Sequence, residues 1–229
     1  MNYDRKGRSP FYPGQPVRYE LFVGRAAEVE RIRRATYQVA AGKPQAIFIA
    51  GEYGIGKSSL ASFMLSAAEL DPQLLGFHVL LGTAASLEGV AQATVRTVMD
   101  KLRMAADISS GYLPFLRSIH EQCKDQRQGL MLILDEINGL ASQRPFSGFL
   151  KDLVDSNAIS RQPLPLLLIV CGTDERRLLP KLMHLLGEAA YSIVPDGVVD
   201  LRSAREAIRA AMATTELPSE QGAGQVNSA

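Results

Sequence analysis

An apolar segment that runs directly into a glycine-rich turn constrains this chain more than any other feature. Residues 46–50 have the sequence AIFIA, residues 51–58 have the sequence GEYGIGKS, and residues 59–68 have the composition of a helix. Glycines let the backbone curl until successive N–H groups point at one anion, and the N-terminus of the helix directs a positive dipole end to the same place. Strand, turn and helix, in this order, are the context in which the spacing G-x-x-x-x-G-K-S binds the phosphates of a nucleotide.

This spacing gives each polar residue of the turn a separate role. Lys57 is predicted to reach the β- and γ-phosphates of ATP, and the Ser58 hydroxyl is predicted to ligate Mg²⁺. The alternative is a turn that ends in Lys-Ser by chance, but the flanking strand and helix favour phosphate binding. The predicted nucleotide-binding residues are Gly51, Glu52, Tyr53, Gly54, Ile55, Gly56, Lys57, Ser58, Ser59 and Arg25.

Two adjacent carboxylates end a second apolar segment. Residues 130–134 have the sequence LMLIL, which is too compact for a helix, and Asp135 and Glu136 follow. In a protein with a phosphate-binding loop, this Asp supports Mg²⁺ and the next Glu can activate the attacking water. The alternative is a helix N-cap with a carboxylate in the first turn. A strand-like segment at 77–82 lies between the two motifs along the chain, and it favours the P-loop ATPases that have an added central strand.

Several other side chains are candidates for the same site, each with an alternative. Thr173 lies at the polar end of a buried strand-like segment at 165–174. It is predicted to sense the γ-phosphate, and a helix N-cap is the competing interpretation. Arg25 is expected near the adenine end of the nucleotide, against the alternative of a surface arginine at a helix start. We interpret His78 and His184 as structural.

Composition excludes several classes of protein. The 229 residues include 25 Lys and Arg against 24 Asp and Glu, and the net charge of +1 gives no global field that favours nucleic acid or an anionic membrane. Two scattered cysteines do not form a disulfide framework. The longest apolar segment, 164–171, is too short to span a bilayer. We therefore expect a soluble, cytoplasmic protein without a membrane partner.

Four segments together resemble a known family: residues 10–17, residues 22–28, the glycine-rich turn and residues 134–137. Through them the chain is similar to prokaryotic AAA-type ATP-binding proteins, in the Orc/Cdc6-like and STAND-like branch of the AAA+ ATPases. The resemblance covers about residues 10–212 and implies an α/β fold, a three-layer αβα P-loop NTPase with a mostly parallel five-stranded sheet. The expected divisions are an extended arm at 1–20, the ATPase core at 21–201, a remnant lid helix at 202–213 and a disordered tail at 214–229.

The chain departs from the family pattern where an arginine is expected. Residues 187–190 have the sequence GEAA, and the family pattern does not identify any residue after them as the lid arginine. Hydrolysis is therefore expected to be slow, or to need an arginine from a protein partner or another copy of the chain.

The predicted function is Mg-dependent binding of ATP, with hydrolysis to ADP and phosphate that switches a partner interaction. One alternative is a nucleotide-gated binding module with little or no turnover. Another is a small-molecule kinase, which is disfavoured because Glu136 suits water activation and no acceptor-binding insert is evident. A GTPase is disfavoured too, since the chain has no N/T-K-x-D base-reading motif.

Overall fold

A parallel sheet of five strands forms the centre of the computed structural model, which describes residue 22 and residues 24–71, 73–172 and 190–193. The strands are β1 Gln45–Ala50, β2 Leu74–Leu80, β3 Gly129–Asp135, β4 Leu166–Gly172 and β5 Ala190–Ile193. Their order in the sheet is β2-β3-β4-β1-β5, and every pairing is parallel. The predicted parallel five-stranded sheet is therefore confirmed.

Helices accompany the sheet on both faces. They are α1 Ala26–Ala40, α2 Lys57–Leu70, α3 Leu87–Leu102, α4 Tyr112–Cys123 and α5 Arg144–Ala158, with a short 3-10 helix at Ile137–Gly139. Among the described residues, none of these helices combines the length and apolarity that a membrane crossing needs. The predicted arm at 1–20, the lid helix at 202–213 and the tail at 214–229 lie outside the described residues.

Alternation along the strands divides the core into two layers. On one face, Ile169 of β4 packs with Ile32 of α1 and Leu60 of α2. On the other face, Leu168 of β4 packs in a cluster with residues of α3, α4 and α5, including Leu150. Because helices cover both faces, all seven residues of β3 and all seven of β4 are buried. The three-layer αβα arrangement implied by the resemblance is confirmed.

The strand order shows an added central strand, the feature of the P-loop ATPases that the sequence favoured. The strand predicted at 77–82 is β2, which spans Leu74–Leu80 and lies at the edge of the sheet. The inserted central strand is β4, which lies between β1 and β3. The carboxyl ends of β1 and β3 therefore flank the end of β4, and the crevice beyond these ends is where open parallel sheets bind ligands.

A buried asparagine fixes the segment that enters β4. Asn157 of α5 is 2% exposed, its side-chain amide donates to the Leu164 carbonyl at 2.9 Å, and its side-chain oxygen accepts from the Leu164 N–H at 2.7 Å. This pair of hydrogen bonds supplies partners for the buried N–H and carbonyl of Leu164.

Replacing Asn157 with alanine should lower the free energy of unfolding by roughly 2–4 kcal/mol, because two buried backbone groups lose their partners. Denaturant titration monitored by circular dichroism measures the change. Ser156→Ala is the matched control, since Ser156 is the exposed neighbour on the same helix. Equal unfolding midpoints for the two variants would contradict this account of Leu164.

Candidate nucleotide-binding site

A cavity of about 520 Å³ opens at the carboxyl ends of β1, β2, β3 and β4. Six of its lining residues belong to the glycine-rich turn and the start of α2: Tyr53, Gly54, Gly56, Lys57, Ser58 and Ser59. The strands and the segment after β3 contribute His78, Leu80, Asp135, Glu136, Asn138, Cys171 and Gly172. The two motifs predicted from the sequence thus face one another across a single cavity.

The turn after β1 depends on glycine at two positions. Gly54 and Gly56 have φ angles of 79° and 96°, in the left-handed region that other residues rarely adopt. A Cβ atom at either position would meet nothing within 4 Å, so glycine is required here by backbone conformation and not by lack of space. Gly56 is also the N-cap of α2, so the turn delivers the chain directly into the helix.

Lys57 and Arg25 hold the turn from two sides. The buried Lys57 ammonium donates to the carbonyls of Gly51 at 2.9 Å and Glu52 at 2.8 Å. The Arg25 guanidinium donates to the Ile55 carbonyl at 2.8 Å. Gly51, Glu52 and Ile55 thus contribute backbone carbonyls, which keep the loop curled.

Arg25 is not a surface arginine. Its side chain is 9% exposed and forms an ion pair with Glu28 at 3.4 Å. The alternative that we considered from the sequence is therefore wrong, whereas a contact with adenine stays a prediction.

Asp135 is held by neighbours on three sides. One carboxylate oxygen, Oδ2, lies 2.9 Å from His78 Nε2, and the other, Oδ1, accepts from the Glu136 backbone N–H at 2.8 Å. The Ser58 hydroxyl lies near the same carboxylate. Burial raises the pKa of this carboxyl, but the hydrogen bond from His78 and the nearby Ser58 hydroxyl outweigh burial and leave the pKa below its ordinary value. Asp135 is therefore an ionised carboxylate at neutral pH.

Glu136 directs its carboxylate towards the turn that follows β2. Its φ of 60° and ψ of 43° are left-handed, an unusual conformation for a glutamate. Its carboxylate oxygen Oε2 lies so close to Gly82 that a Cβ atom at that position would collide with it. The side chain is exposed at the cavity, in contrast to the buried Asp135 beside it.

The sequence profile of a family described as the AAA ATPase domain matches residues 21–194. The chain belongs to this family. The structure of the Aeropyrum pernix Orc1 protein in complex with DNA is similar, with a TM-score of 0.58 and 18% sequence identity over 84% of this chain and 50% of that chain. The chain thus spans about half the length of the Orc1 chain, and at this identity the likeness shows a shared fold. No curated protein matches the sequence significantly.

The polar groups of this AAA ATPase domain fit a magnesium ion. The Ser58 hydroxyl and the ionised Asp135 carboxylate lie near one another at the wall of the cavity, and both offer oxygen, the donor that Mg²⁺ prefers. Mg²⁺ keeps several waters and takes its other ligands from substrate phosphates, so two protein oxygens suffice in a site of this kind.

Five lining residues of the AAA ATPase domain were not predicted from the sequence: His78, Leu80, Asn138, Cys171 and Gly172. We expected His78 to be structural, but it lines the cavity and contacts Asp135. Burial raises the pKa of the Cys171 thiol well above its ordinary value, so this residue is a neutral part of the wall. Thr173 follows the last residue of β4 and lies outside the described residues.

Proposed function

We propose that this AAA ATPase domain binds Mg·ATP and hydrolyses it to ADP and phosphate, and that the nucleotide state switches its interaction with a partner. The observation that carries the proposal is that Lys57, Ser58, Asp135 and Glu136 line one cavity. An ammonium, a hydroxyl and two carboxylates are the protein groups that transfer of a phosphoryl group to water requires.

Binding depends on the curled loop and on Lys57. The carbonyls of Gly51 and Glu52 hold the Lys57 ammonium at the loop, from which it can also donate to β- and γ-phosphate oxygens. Ser58 and Asp135 would hold Mg²⁺, the latter through water. When bound, the ion neutralises charge on the phosphates.

Hydrolysis depends on Glu136. We propose that its carboxylate accepts a proton from water while the water oxygen bonds to the γ-phosphorus. The bond from that phosphorus to the β–γ bridging oxygen breaks, and its electron pair leaves with ADP. Thr173 remains our candidate for sensing the γ-phosphate, and Arg25 for a position near the adenine.

A nucleotide-gated module with little turnover is the second candidate. The absence of an arginine at 187–190 in the sequence favours it, because hydrolysis by this family tends to use an arginine at that place. In either case the partner that we propose is a protein or a second copy that supplies an arginine.

A nucleic-acid partner stays an alternative that the charge of the chain does not support. The similar Orc1 structure is a complex with DNA, but a net charge of +1 gives this chain no general electrostatic attraction to a phosphate backbone. We propose the cytoplasm as its compartment, as expected from the sequence.

Calorimetric titration of the full chain with ATP and GTP in Mg²⁺, followed by a phosphate-release assay, tests the function. We expect ATP to bind, GTP to bind more weakly, and ADP and phosphate to form slowly. Tight binding without phosphate release would favour the gated module. No binding of ATP at millimolar concentration would overturn both candidates.

Gly82 offers a probe of Glu136 that leaves the glutamate itself unchanged. Gly82→Ala should displace the Glu136 carboxylate and lower ATP turnover by about 10-fold or more, because a misplacement near 1 Å is costly for catalysis. Nucleotide affinity should stay the same. Gly148→Ala is the control, since a Cβ there meets nothing within 4 Å. Unchanged turnover in Gly82→Ala would mean that the observed position of Glu136 has no role in the reaction.

A further inference from the structure

His78 joins helix α2 to the carboxylate of Asp135. Its Nε2 lies 2.9 Å from Asp135 Oδ2, and its Nδ1 lies 3.3 Å from the Ser62 hydroxyl on α2. Its side chain is 17% exposed and that of Asp135 is 2% exposed, so water has little access to the contact between them. Strand β2 carries His78 to this point because it pairs with β3, which ends in Asp135.

These contacts define which ring nitrogen of His78 donates to Asp135. Asp135 is an ionised carboxylate and can only accept, so Nε2 must donate to it. Nδ1 is then an acceptor, and the Ser62 hydroxyl donates to it. Asp135 therefore sets the tautomer, and Ser62 holds the ring from its other side and so helps to fix its orientation.

The bond from His78 is the one that fixes the plane of the Asp135 carboxylate. The bond to Oδ1 comes from Glu136, the next residue in the chain, and by itself it leaves the carboxylate free to rotate about that contact. His78 reaches Oδ2 from the neighbouring strand, so the two oxygens are held by different elements of the fold. A carboxylate has about four lone-pair positions. With Ser58 as the third partner, at least one position remains for a water ligand of the ion.

Helix α2 thus reaches Asp135 by two routes. Ser58 lies near the carboxylate and lowers its pKa, and Ser62, one helical turn further on the same face, acts through His78. A movement of the N-terminal end of α2 would therefore change the ion ligand Ser58 and the orientation of Asp135 together.

We propose that His78 is a positioning residue of the magnesium site: by donating to Oδ2 it holds the Asp135 carboxylate in the orientation that supports Mg²⁺ beside Ser58. The proposal rests on the proposed function, because it requires a Mg·nucleotide complex in this cavity. Its consequence is specific. His78 should matter for the magnesium dependence of nucleotide binding and not for binding of the nucleotide without metal.

The test is a magnesium titration of ADP affinity in the full chain, with a second set of measurements in EDTA. His78→Phe keeps the ring size but has no donor, and it should need about 10-fold or more Mg²⁺ for half-maximal tightening of ADP binding. His78→Gln retains an N–H that can reach Asp135 and should recover most of the effect. Ser62→Ala should shift the requirement in the same direction by a smaller factor. In EDTA, all three variants should bind ADP like the wild type.

The control is Ser66→Ala, one turn further along α2, whose hydroxyl donates to the Ser62 carbonyl of its own helix. It should show the wild-type requirement for Mg²⁺. Melting temperatures without ligand identify a variant that is merely misfolded. If His78→Phe does not fold, Ser62→Ala decides alone, since it leaves the histidine in place and removes only the partner of Nδ1.

The outcomes distinguish a failure of the proposed function from a failure of the role proposed for His78. A wild-type protein that binds neither ATP nor ADP would overturn the proposed function together with this inference. Wild-type binding of ADP that is equal with and without Mg²⁺ would overturn this inference alone. Wild-type binding that depends on Mg²⁺, with unchanged Mg²⁺ requirements in His78→Phe and Ser62→Ala, would overturn the role of His78 and leave the proposed function intact.

Discussion

Replacing Lys57 with alanine is expected to lower the affinity for Mg·ATP by about 100-fold or more. Charge-assisted hydrogen bonds are worth roughly 1.5–3 kcal/mol each, and Lys57 is positioned to donate to oxygens of two phosphates. The loop also loses the ammonium that holds the Gly51 and Glu52 carbonyls. Isothermal titration of wild type and variant measures the change directly.

Loss of the loop contacts can be distinguished from loss of the phosphate contacts. If Lys57→Ala mainly disorders the protein, its melting temperature without nucleotide will fall, whereas a phosphate-binding role requires the affinity to fall in a folded protein. Lys43→Ala removes an exposed lysine just before β1 and should bind Mg·ATP like the wild type. Equal affinity in Lys57→Ala and Lys43→Ala would remove the basis of the proposed function.

The strands were predictable because a sheet covered on both faces needs continuous apolar segments. Residues 46–50 and 130–134 are such segments, and each ends at strong turn or carboxylate signals. The segment that forms β2 was predicted to begin at residue 77, but β2 begins at Leu74 and includes Gly76. In the structure, a Cβ at Gly76 would collide with Leu65 of α2, so the glycine allows close packing of the helix and does not end the strand.

The spatial order of the strands could not be predicted from their composition. β2 lies at the edge of the sheet, yet five of its seven residues are buried, so its sequence resembles that of a central strand. The sequence gives the order of elements along the chain, whereas the insertion of β4 between β1 and β3 depends on pairings between distant segments. The edge position of β2 could not be predicted for this reason.

The predicted site residues could be recognised from their positions in sequence motifs. Lys57 and Ser58 belong to a motif whose spacing has a mechanical cause, and Asp135 and Glu136 stand directly after an apolar strand. The contribution of His78 has no such local signal, because a single histidine in an apolar strand is usually structural. Its place beside Asp135 follows from the pairing of β2 with β3 and from the position of Ser62 on α2.

Glu136→Gln is expected to keep the affinity for Mg·ATP while lowering turnover by about 100-fold or more. Glutamine has nearly the same shape as glutamate but cannot accept a proton from the attacking water, so the variant removes an interaction made in the transition state. Because Glu136 is exposed at the cavity, the substitution leaves no buried polar group without a partner. The fold should therefore be unaffected.

Asp135→Asn is the contrasting variant on the neighbouring residue. Asp135 is buried, bonded to His78 and near Ser58, so loss of its negative charge should weaken binding that depends on Mg²⁺ rather than the chemical step alone. The side-chain amide of asparagine turns an N–H towards one of the donors that face a carboxylate oxygen in the wild type, and this contact can destabilise the fold. Melting temperatures are therefore needed for this variant. A variant that folds and loses only magnesium dependence would separate the two carboxylates by role.

Single-turnover hydrolysis and equilibrium binding, measured on the wild type and on both variants, decide between the two candidate functions. A hydrolase requires tight binding with slow turnover in Glu136→Gln and weak Mg²⁺-dependent binding in Asp135→Asn. If the wild type and Glu136→Gln bind ATP tightly and release phosphate at the same low rate, Glu136 does not activate water. In that case its left-handed conformation and its position against Gly82 describe a carboxylate that is kept away from the reaction, and the nucleotide would act by its presence in the cavity.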